Sequence, residues 1–239
     1  MRCYTCAGRG AKGGCPECGK TYEEVYTTKF VARASDEAIK SGAIPDEYIN
    51  IAWDTSKLLK DKPESLKNSD IFKRYVQQLE AVLQIFENGN IPNQSAIFIA
   101  PQQFAKRIFA YTCLKYAVNH GFSIAPILDN TEIKRISILS SDQYKSAYLY
   151  GKTPIESIVT ADVLFMTVDV DNYGTALRTI ESIMDKRSRQ GKSTFVLSRF
   201  SLEAMSMFDK DKTYKGLLEK NRDANNKKFP VIIGGFISG

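Results

Sequence analysis

Short apolar runs alternate with longer amphipathic segments from residue 95 onward. This order of buried strand, helix and buried strand is typical of an α/β fold, in which helices connect parallel strands. The predicted strands are residues 96–99, 122–128, 135–139, 162–168, 193–198 and 231–233, and the predicted helices are about residues 105–119, 141–150, 174–190 and 213–222. With 239 residues, of which 43% are hydrophobic, the chain can bury a sizeable core. The pattern predicts an α/β domain with a parallel sheet.

The part of the chain before residue 91 divides into a cysteine-rich segment and a helical one. Apolar residues recur every three or four positions over residues 72–86, and an Asn-Gly-Asn run follows as a helix stop. Residues 57–68 are rich in lysine and contain a proline, which predicts a solvated loop. The predicted divisions are a small N-terminal segment at 1–22, a helical connector at 23–90 and the α/β domain at 91–239.

Four of the five cysteines form two C-x-x-C pairs near the start of the chain, with glycines between the pairs. They are Cys3, Cys6, Cys15 and Cys18. Each pair places two thiolates on one side of a tight turn, and two such pairs can close a tetrahedral zinc site. Two disulfides or a redox motif are the alternatives, and a reducing cytoplasm argues against the disulfides. We predict a structural zinc ion that supplies most of the folding free energy of this segment.

Residues 99–107 follow the first predicted strand and have the outline of a phosphate-binding loop, G-x-x-x-x-G-K-[S/T]. Lys106 holds the lysine position, whereas Ala100 and Ala105 replace the two glycines. Arg107 replaces the Ser/Thr and brings no oxygen to bind Mg²⁺. A Cβ is also costly where the backbone needs a positive φ. The segment is therefore either a degenerate phosphate loop or an ordinary strand-to-helix turn with a lysine on its helix.

The order of segments around this loop favours a degenerate phosphate loop. A first strand, a lysine-bearing turn and helix, and a later apolar strand ending near acids form the layout of a P-loop nucleoside triphosphatase. Two stretches, residues 41–48 (Ser-Gly-Ala-Ile-Pro-Asp-Glu-Tyr) and residues 178–201, resemble parts of the replicative-helicase loader family of AAA+ ATPases. The first is similar to the entry segment of these loaders, and the second to their sensor-1 strand with its preceding helix.

This resemblance implies a three-layer P-loop core of the AAA+ or RecA-like type, preceded by the zinc segment and the connector. Loaders of this family deliver the ring helicase to single-stranded DNA in bacteria and their phages, and some carry an N-terminal zinc-binding segment that contacts the helicase. The implied role is a DNA-replication protein, encoded by a phage or mobile element, whose partner is a replicative helicase or its loader. Single-stranded DNA is a further candidate partner, and the oligomeric state stays open.

The positions that match the catalytic motifs of these ATPases carry other residue types. Thr167 and Val168 stand where a Mg²⁺-binding Asp and a catalytic acid are expected, and Asp169 and Asp171 come two residues late. Arg199 matches the sensor-1 polar residue. Phosphoryl transfer depends on positioning and on charge stabilisation by lysine and metal. We therefore predict a pseudo-ATPase, and we do not expect ATP or Mg²⁺ as a cofactor; whether the protein has any enzymatic activity stays open.

Two arrangements remain open for the charged residues of the degenerate site. In one, Lys106, Arg107 and Arg199 hold an anion, either a nucleotide phosphate or a nucleic-acid backbone, without chemistry. In the other, the same cations pair with Asp169 and Asp171 in a structural salt-bridge network. The second arrangement is favoured, because the loss of the glycines removes the backbone donors that make anion sites strong.

The formal net charge of +6 is compatible with a polyanionic partner but is too small to identify one. The basic run that is a candidate nucleic-acid contact contains Lys186, Arg187, Arg189 and Lys192. A solvated helix face is the alternative for such a run. No stretch approaches the ~18 uninterrupted apolar residues of a membrane span, so we expect a cytoplasmic protein without a membrane partner.

Three functional classes follow from the sequence. The first is an ATPase-defective adaptor that binds a replicative helicase or its loader and assists or blocks loading. The second is an active ATP-dependent loader with atypical motifs. The third is a zinc-containing nucleic-acid-binding protein that uses the α/β domain as a scaffold.

Overall fold

The computed structural model of the protein describes residue 16 and residues 31–93, 95–99, 105–140, 153–168, 175–198 and 231–233. The strands in this part of the chain are β1 (Ala96–Ile99), β2 (Leu164–Val168), β3 (Thr194–Ser198) and β4 (Val231–Ile233). The helices in the same part are α1 (Ser35–Lys40), α2 (Asp46–Ile49), α3 (Thr55–Lys60), α4 (Glu64–Lys67), α5 (Asp70–Glu87), α6 (Lys106–Asn119), α7 (Asn130–Leu139), α8 (Pro154–Thr160) and α9 (Thr175–Arg189).

The four strands form one parallel sheet in the order β2-β3-β1-β4. Ile97 of β1 lies beside Val196 of β3 and Val231 of β4, so the first strand in the sequence is an interior strand of the sheet. The segment predicted as a strand at residues 122–128 runs beside β2 and pairs with it through isolated parallel bridges. Parallel neighbours require crossover connections, which are usually helical. The predicted α/β class with a parallel sheet is confirmed.

Helices cover both faces of the sheet, because side chains alternate between the two faces along each strand. On one face, Phe98, Phe165 and Phe195 pack against α5 and α6, and the ring of Phe98 lies 5.1 Å from the ring of Phe109. On the other face, Ile97 and the neighbouring apolar side chains pack against α7, α8 and α9. The described residues therefore form three layers, with the sheet in the middle.

The longest helix of the predicted connector, α5, is part of the sheet's own hydrophobic core. Its apolar stripe is buried against the sheet, and the ring of Phe86 lies 5.8 Å from that of Phe195 in β3. The helix ends as predicted, since Gly89 follows it at a φ of 73° that favours glycine. The prediction of helical structure is confirmed, and apolar residues of this range belong to the same hydrophobic core as one face of the sheet.

Two local predictions were wrong. Residues 135–139 belong to helix α7 and not to a strand, because Ile133 and Ile136 bury one helical face and the Asp129 side chain caps the helix by accepting from the backbone N–H of Glu132. Residues 57–68 contain the short helices α3 and α4 instead of an irregular loop. Leucines of both helices pack against the core, which explains why this lysine-rich stretch is ordered.

Helix α8 was not predicted, although its start has a clear sequence signature. The Thr153 side chain accepts from the backbone N–H of Glu156, and the Glu156 side chain accepts from the backbone N–H of Thr153, with Pro154 at the first helical position. This reciprocal pair is a capping box. The helices predicted at 141–150 and 213–222 lie outside the described residues.

Candidate functional site

Lys106 is the first residue of α6, and it lies where the interior strands of the sheet end. Its side chain is 4% exposed, and its Nζ donates a hydrogen bond of 2.6 Å to the backbone carbonyl of Ser198, the last residue of β3. Ser198 lies beside Ile99, the last residue of β1, in the sheet register. The lysine of the predicted phosphate loop is thus a buried contact between α6 and the carboxyl edge of the sheet. This edge is where open α/β sheets usually bind ligands.

Ala105, immediately before this lysine, has the backbone conformation that a glycine would favour. Its φ is 44° and its ψ is 8°, in the left-handed region, and it is the N-cap of α6 without a side-chain cap hydrogen bond. A non-glycine residue in this region costs about 1–2 kcal/mol. The turn therefore retains the positive φ predicted for the second glycine position, even though the residue there carries a Cβ.

Arg107 places a second cation in the first turn of α6, and this turn contains no acidic side chain. The positive end of a helix dipole repels cations, by about 0.3–1 kcal/mol for an exposed group. Arg107 is exposed, and its charge acts on the half-buried Tyr111 one turn further along the helix. Burial raises the pKa of Tyr111 to about 12, and the Arg107 cation opposes this rise. The first turn of α6 therefore carries two cationic side chains and no acidic one.

Thr167 of β2 stands at the position predicted for the metal-binding acid. It lies beside Leu197 of β3 in the sheet register. Its Oγ1 is buried, and within the part of the chain that the structure describes this hydroxyl has no hydrogen-bond partner. An unpaired buried hydroxyl costs about 1–3 kcal/mol. Among the described residues, the carboxyl edge thus has an unpaired neutral hydroxyl at the position predicted for an acid.

The remaining residues of the two predicted sites lie outside the described residues. They are Asp169, Asp171 and Arg199 of the degenerate nucleotide site and Cys3, Cys6, Cys15 and Cys18 of the zinc segment. In the ranges that the structure describes, there is no group of three or more His, Cys, Asp or Glu side chains that could hold a metal ion. The zinc site and the salt-bridge network both remain predictions.

Arg187, predicted as a nucleic-acid contact, is fully buried at the opposite, amino edge of the sheet. Its Nη1 donates to the carbonyl of Ala161 at 2.6 Å, and its Nε donates to Oγ1 of Thr194 at 3.0 Å. Further guanidinium bonds go to the carbonyls of Ile158, Val159, Asp162 and Ser193. Burial lowers the pKa of Arg187 to about 10, and Asp162 opposes this shift. Because the guanidinium has no accessible surface, Arg187 cannot contact a phosphate and instead joins α8, α9 and the starts of β2 and β3.

Lys192 belongs to the same polar network. Its Nζ donates to Oδ1 of Asp162 at 2.8 Å and to the carbonyl of Thr160 at 2.7 Å. The other carboxylate oxygen of Asp162 accepts from the backbone N–H and the hydroxyl of Ser123. The residues just before β2 and β3 are therefore joined to each other and to Ser123 at the amino edge.

Lys186 and Arg189 are the exposed members of the predicted basic run. Arg189 forms an ion pair with Asp185 one turn earlier in α9, with 2.6 Å between the nitrogen and the oxygen. The basic run thus divides into two exposed helix residues and two residues held in the amino-edge network. The signal that separates Arg187 from its neighbours is its spacing, because Ile180, Ile183 and Arg187 follow a buried helical stripe.

No helix in the described ranges is both long enough and apolar enough to span a membrane.

Comparison with known proteins gives a structural likeness only. No protein-family model matches the sequence, and no curated protein matches it. Among solved structures, the crystal structure of the DnaC helicase loader is similar to this chain, with 15% sequence identity and a TM-score of 0.47. The likeness covers 79% of this chain and 99% of the loader chain. The class that the described residues define by themselves is a three-layer α/β protein with a parallel sheet and a buried lysine at its carboxyl edge.

Proposed function

We propose that this protein is an ATPase-defective adaptor of the helicase-loader type, which binds a replicative helicase or its loader during DNA replication. The proposal draws on the order of loader-like segments in the sequence, from the entry segment at 41–48 to the sensor-like strand before Arg199. It is supported by an interior strand, β1, that leads into a lysine-bearing helix, with two further parallel strands beside it. This is the arrangement expected of a P-loop core.

The buried hydrogen bond between Lys106 and Ser198 is the main support for the proposed ATPase defect. A phosphate-binding lysine must present its ammonium to the β- and γ-phosphates, but this one donates to a backbone carbonyl and is almost fully buried. Arg107 cannot ligate Mg²⁺, and the hydroxyl of Thr167 is a poor substitute for a carboxylate ligand. Without the metal and the loop geometry, little remains to stabilise a phosphoryl-transfer transition state.

The proposal assigns the binding function to the N-terminal part of the chain. The four cysteines at positions 3, 6, 15 and 18 would bind a structural zinc ion with no open coordination position. The zinc segment would contact the helicase, and a phage or mobile element would encode the protein and act in the host cytoplasm. The α/β core then contributes shape and a rigid attachment point instead of catalysis.

The test is complex formation with the replicative helicase of the same host, measured by size-exclusion chromatography with light scattering. We expect a complex without nucleotide, with an affinity that ATP and Mg²⁺ leave unchanged. The double variant Cys3→Ser/Cys6→Ser should lose zinc and the complex. Cys113→Ala is the matched control, since Cys113 is a buried core residue of α6.

Two outcomes would replace this proposal with one of its alternatives. A complex that forms only with ATP and Mg²⁺ would indicate an active loader. Absence of any helicase complex, together with binding to single-stranded DNA that weakens steeply with salt, would indicate a nucleic-acid-binding protein.

A further inference from the structure

The contact between Lys106 and Ser198 joins two parts of the chain that are 92 residues apart in sequence. A buried ammonium group is costly unless it is hydrogen-bonded, because it has lost its hydration shell. A hydrogen bond from a charged donor is also stronger than a neutral one. The 2.6 Å distance is slightly shorter than the roughly 2.7–3.2 Å that is usual for an N–H···O bond. The contact is therefore energetically important for the folded chain.

The contact connects α6 with the end of β3. Lys106 is the first residue of α6, and Ser198 is the last residue of β3. In a P-loop protein, a bound phosphate lies between these parts of the molecule. Here the lysine side chain itself connects them. The relative position of α6 and β3 is thus fixed by a bond within the chain.

We propose that Lys106 is an intramolecular tether that holds α6 against β3. This inference rests on the proposed function, because it gives the lysine of a degenerate phosphate loop a role within the fold instead of in nucleotide binding. The tether uses one of the three N–H donors of the ammonium, and burial keeps the side chain away from solvent. It also holds a cation at the positive end of α6 and a strained Ala105 beside it, which are both unfavourable on their own.

The experiment is amine footprinting of the full-length wild-type protein with an acylating reagent, read by mass spectrometry with and without ATP and Mg²⁺. Lys73, an exposed lysine of α5, is the internal control. The labelling rate of each lysine is divided by its rate in the urea-unfolded chain. We expect Lys106 to be labelled about 10-fold or more slowly than Lys73, the factor expected for a hydrogen bond to a charged group. ATP should not change this protection.

Other results would overturn the tether and would differ in their meaning. If Lys106 is labelled as fast as Lys73 with or without ATP, the tether does not exist, but the ATPase-defective function stands. If Lys106 is labelled as fast as Lys73 without ATP and becomes protected when ATP and Mg²⁺ are added, the lysine binds phosphate. That result would overturn both the tether and the proposed function.

A pair of variants provides the second test. Lys106→Met keeps most of the side-chain volume and removes the donor, whereas Lys73→Met makes the same change at an exposed position. We expect Lys106→Met to lower the Tm by roughly 3–10 °C, from the strength of a charged hydrogen bond and the Tm change per unit of stability for a chain of this size. Lys73→Met should leave the Tm unchanged. Equal melting temperatures for the two variants would contradict the tether.

Discussion

The two edges of the parallel sheet differ in how their polar groups are satisfied. At the amino edge, Arg187, Lys192 and Asp162 form a connected network of hydrogen bonds to backbone and side-chain acceptors. At the carboxyl edge, Ala105 has a strained backbone, and the buried hydroxyl of Thr167 has no partner within the described residues. One edge therefore satisfies its buried polar groups, and the other retains unfavourable features.

This difference matches the separate roles of the two edges in an α/β protein. Ligands bind at the carboxyl ends of the strands, and strain tends to collect where a ligand-binding loop needs a special conformation. The carboxyl edge here has the backbone strain of such a site at Ala105 and a neutral side chain, Thr167, at the position predicted for an acid. We infer that the hydrogen-bond network at the amino edge contributes free energy that offsets the cost of this strain.

Removal of Arg187 should have the largest effect, because its guanidinium satisfies carbonyl groups from several elements at once. We expect Arg187→Ala to lower the free energy of unfolding by about 3–5 kcal/mol, the range for breaking a buried charged network. Arg189→Ala is the matched control, since Arg189 forms an exposed ion pair worth at most about 1 kcal/mol. Urea unfolding followed by circular dichroism measures both. Similar losses for the two variants would show that the amino-edge network does not stabilise the fold.

Asp162 should contribute stability that depends on pH. Partial burial alone raises its pKa, but hydrogen bonds from Lys192 and Ser123 outweigh burial and hold the pKa below its ordinary value of 3.8. A lowered pKa in the folded state gives stability that is present above pH 3.8 and is lost as the pH falls through the folded-state pKa.

We expect Asp162→Asn to cost roughly 1 kcal/mol at pH 7, a value reduced for the partial exposure of this group. The difference from the wild type should shrink below pH 3.8 in urea unfolding series. A difference that stays constant down to pH 2.5 would mean that the charge of Asp162 is not what stabilises the network.

A pair of hydroxyl deletions compares the two edges directly. Ser95 at the amino edge is buried, and its Oγ accepts from the backbone N–H of Thr194 at 2.8 Å. Ser95→Ala should cost about 1–2 kcal/mol because it leaves that N–H unpaired. Thr167→Val removes a hydroxyl that has no partner among the described residues, so stability should stay the same or rise by up to about 1 kcal/mol. If both variants lower the free energy of unfolding in urea, the contrast between the two edges is contradicted.

The sequence predicted long periodic elements well and short ones poorly. Helices α5 and α6 and strands β1 to β4 follow from strong apolar patterns bounded by turn residues. The error at residues 135–139 arose because Ile136 and Ile138 alternate with polar residues, although Ile133 and Ile136 also fit a helical spacing. Helix α8 was missed because only its capping box, and not its length, distinguishes it from a loop.

For the candidate site, the sequence identified Lys106 but not its partner. The Ser198 acceptor is a backbone carbonyl, which every residue has, so no residue type marks it. The positive φ of Ala105 agrees with its place at the second glycine position of the loop pattern. Arg187 was assigned to a solvated or nucleic-acid-binding run because a charge run alone does not show which member faces the core.

The proposed ATPase defect is tested most directly by a calorimetric titration of the wild-type protein with ATP in the presence of Mg²⁺. We predict no saturable binding up to about 1 mM ATP, the upper end of typical substrate KM values. A saturable isotherm that requires Mg²⁺ and is lost in a folded Lys106→Met variant would contradict the proposed ATPase defect, because Lys106 would then be a working phosphate-binding lysine.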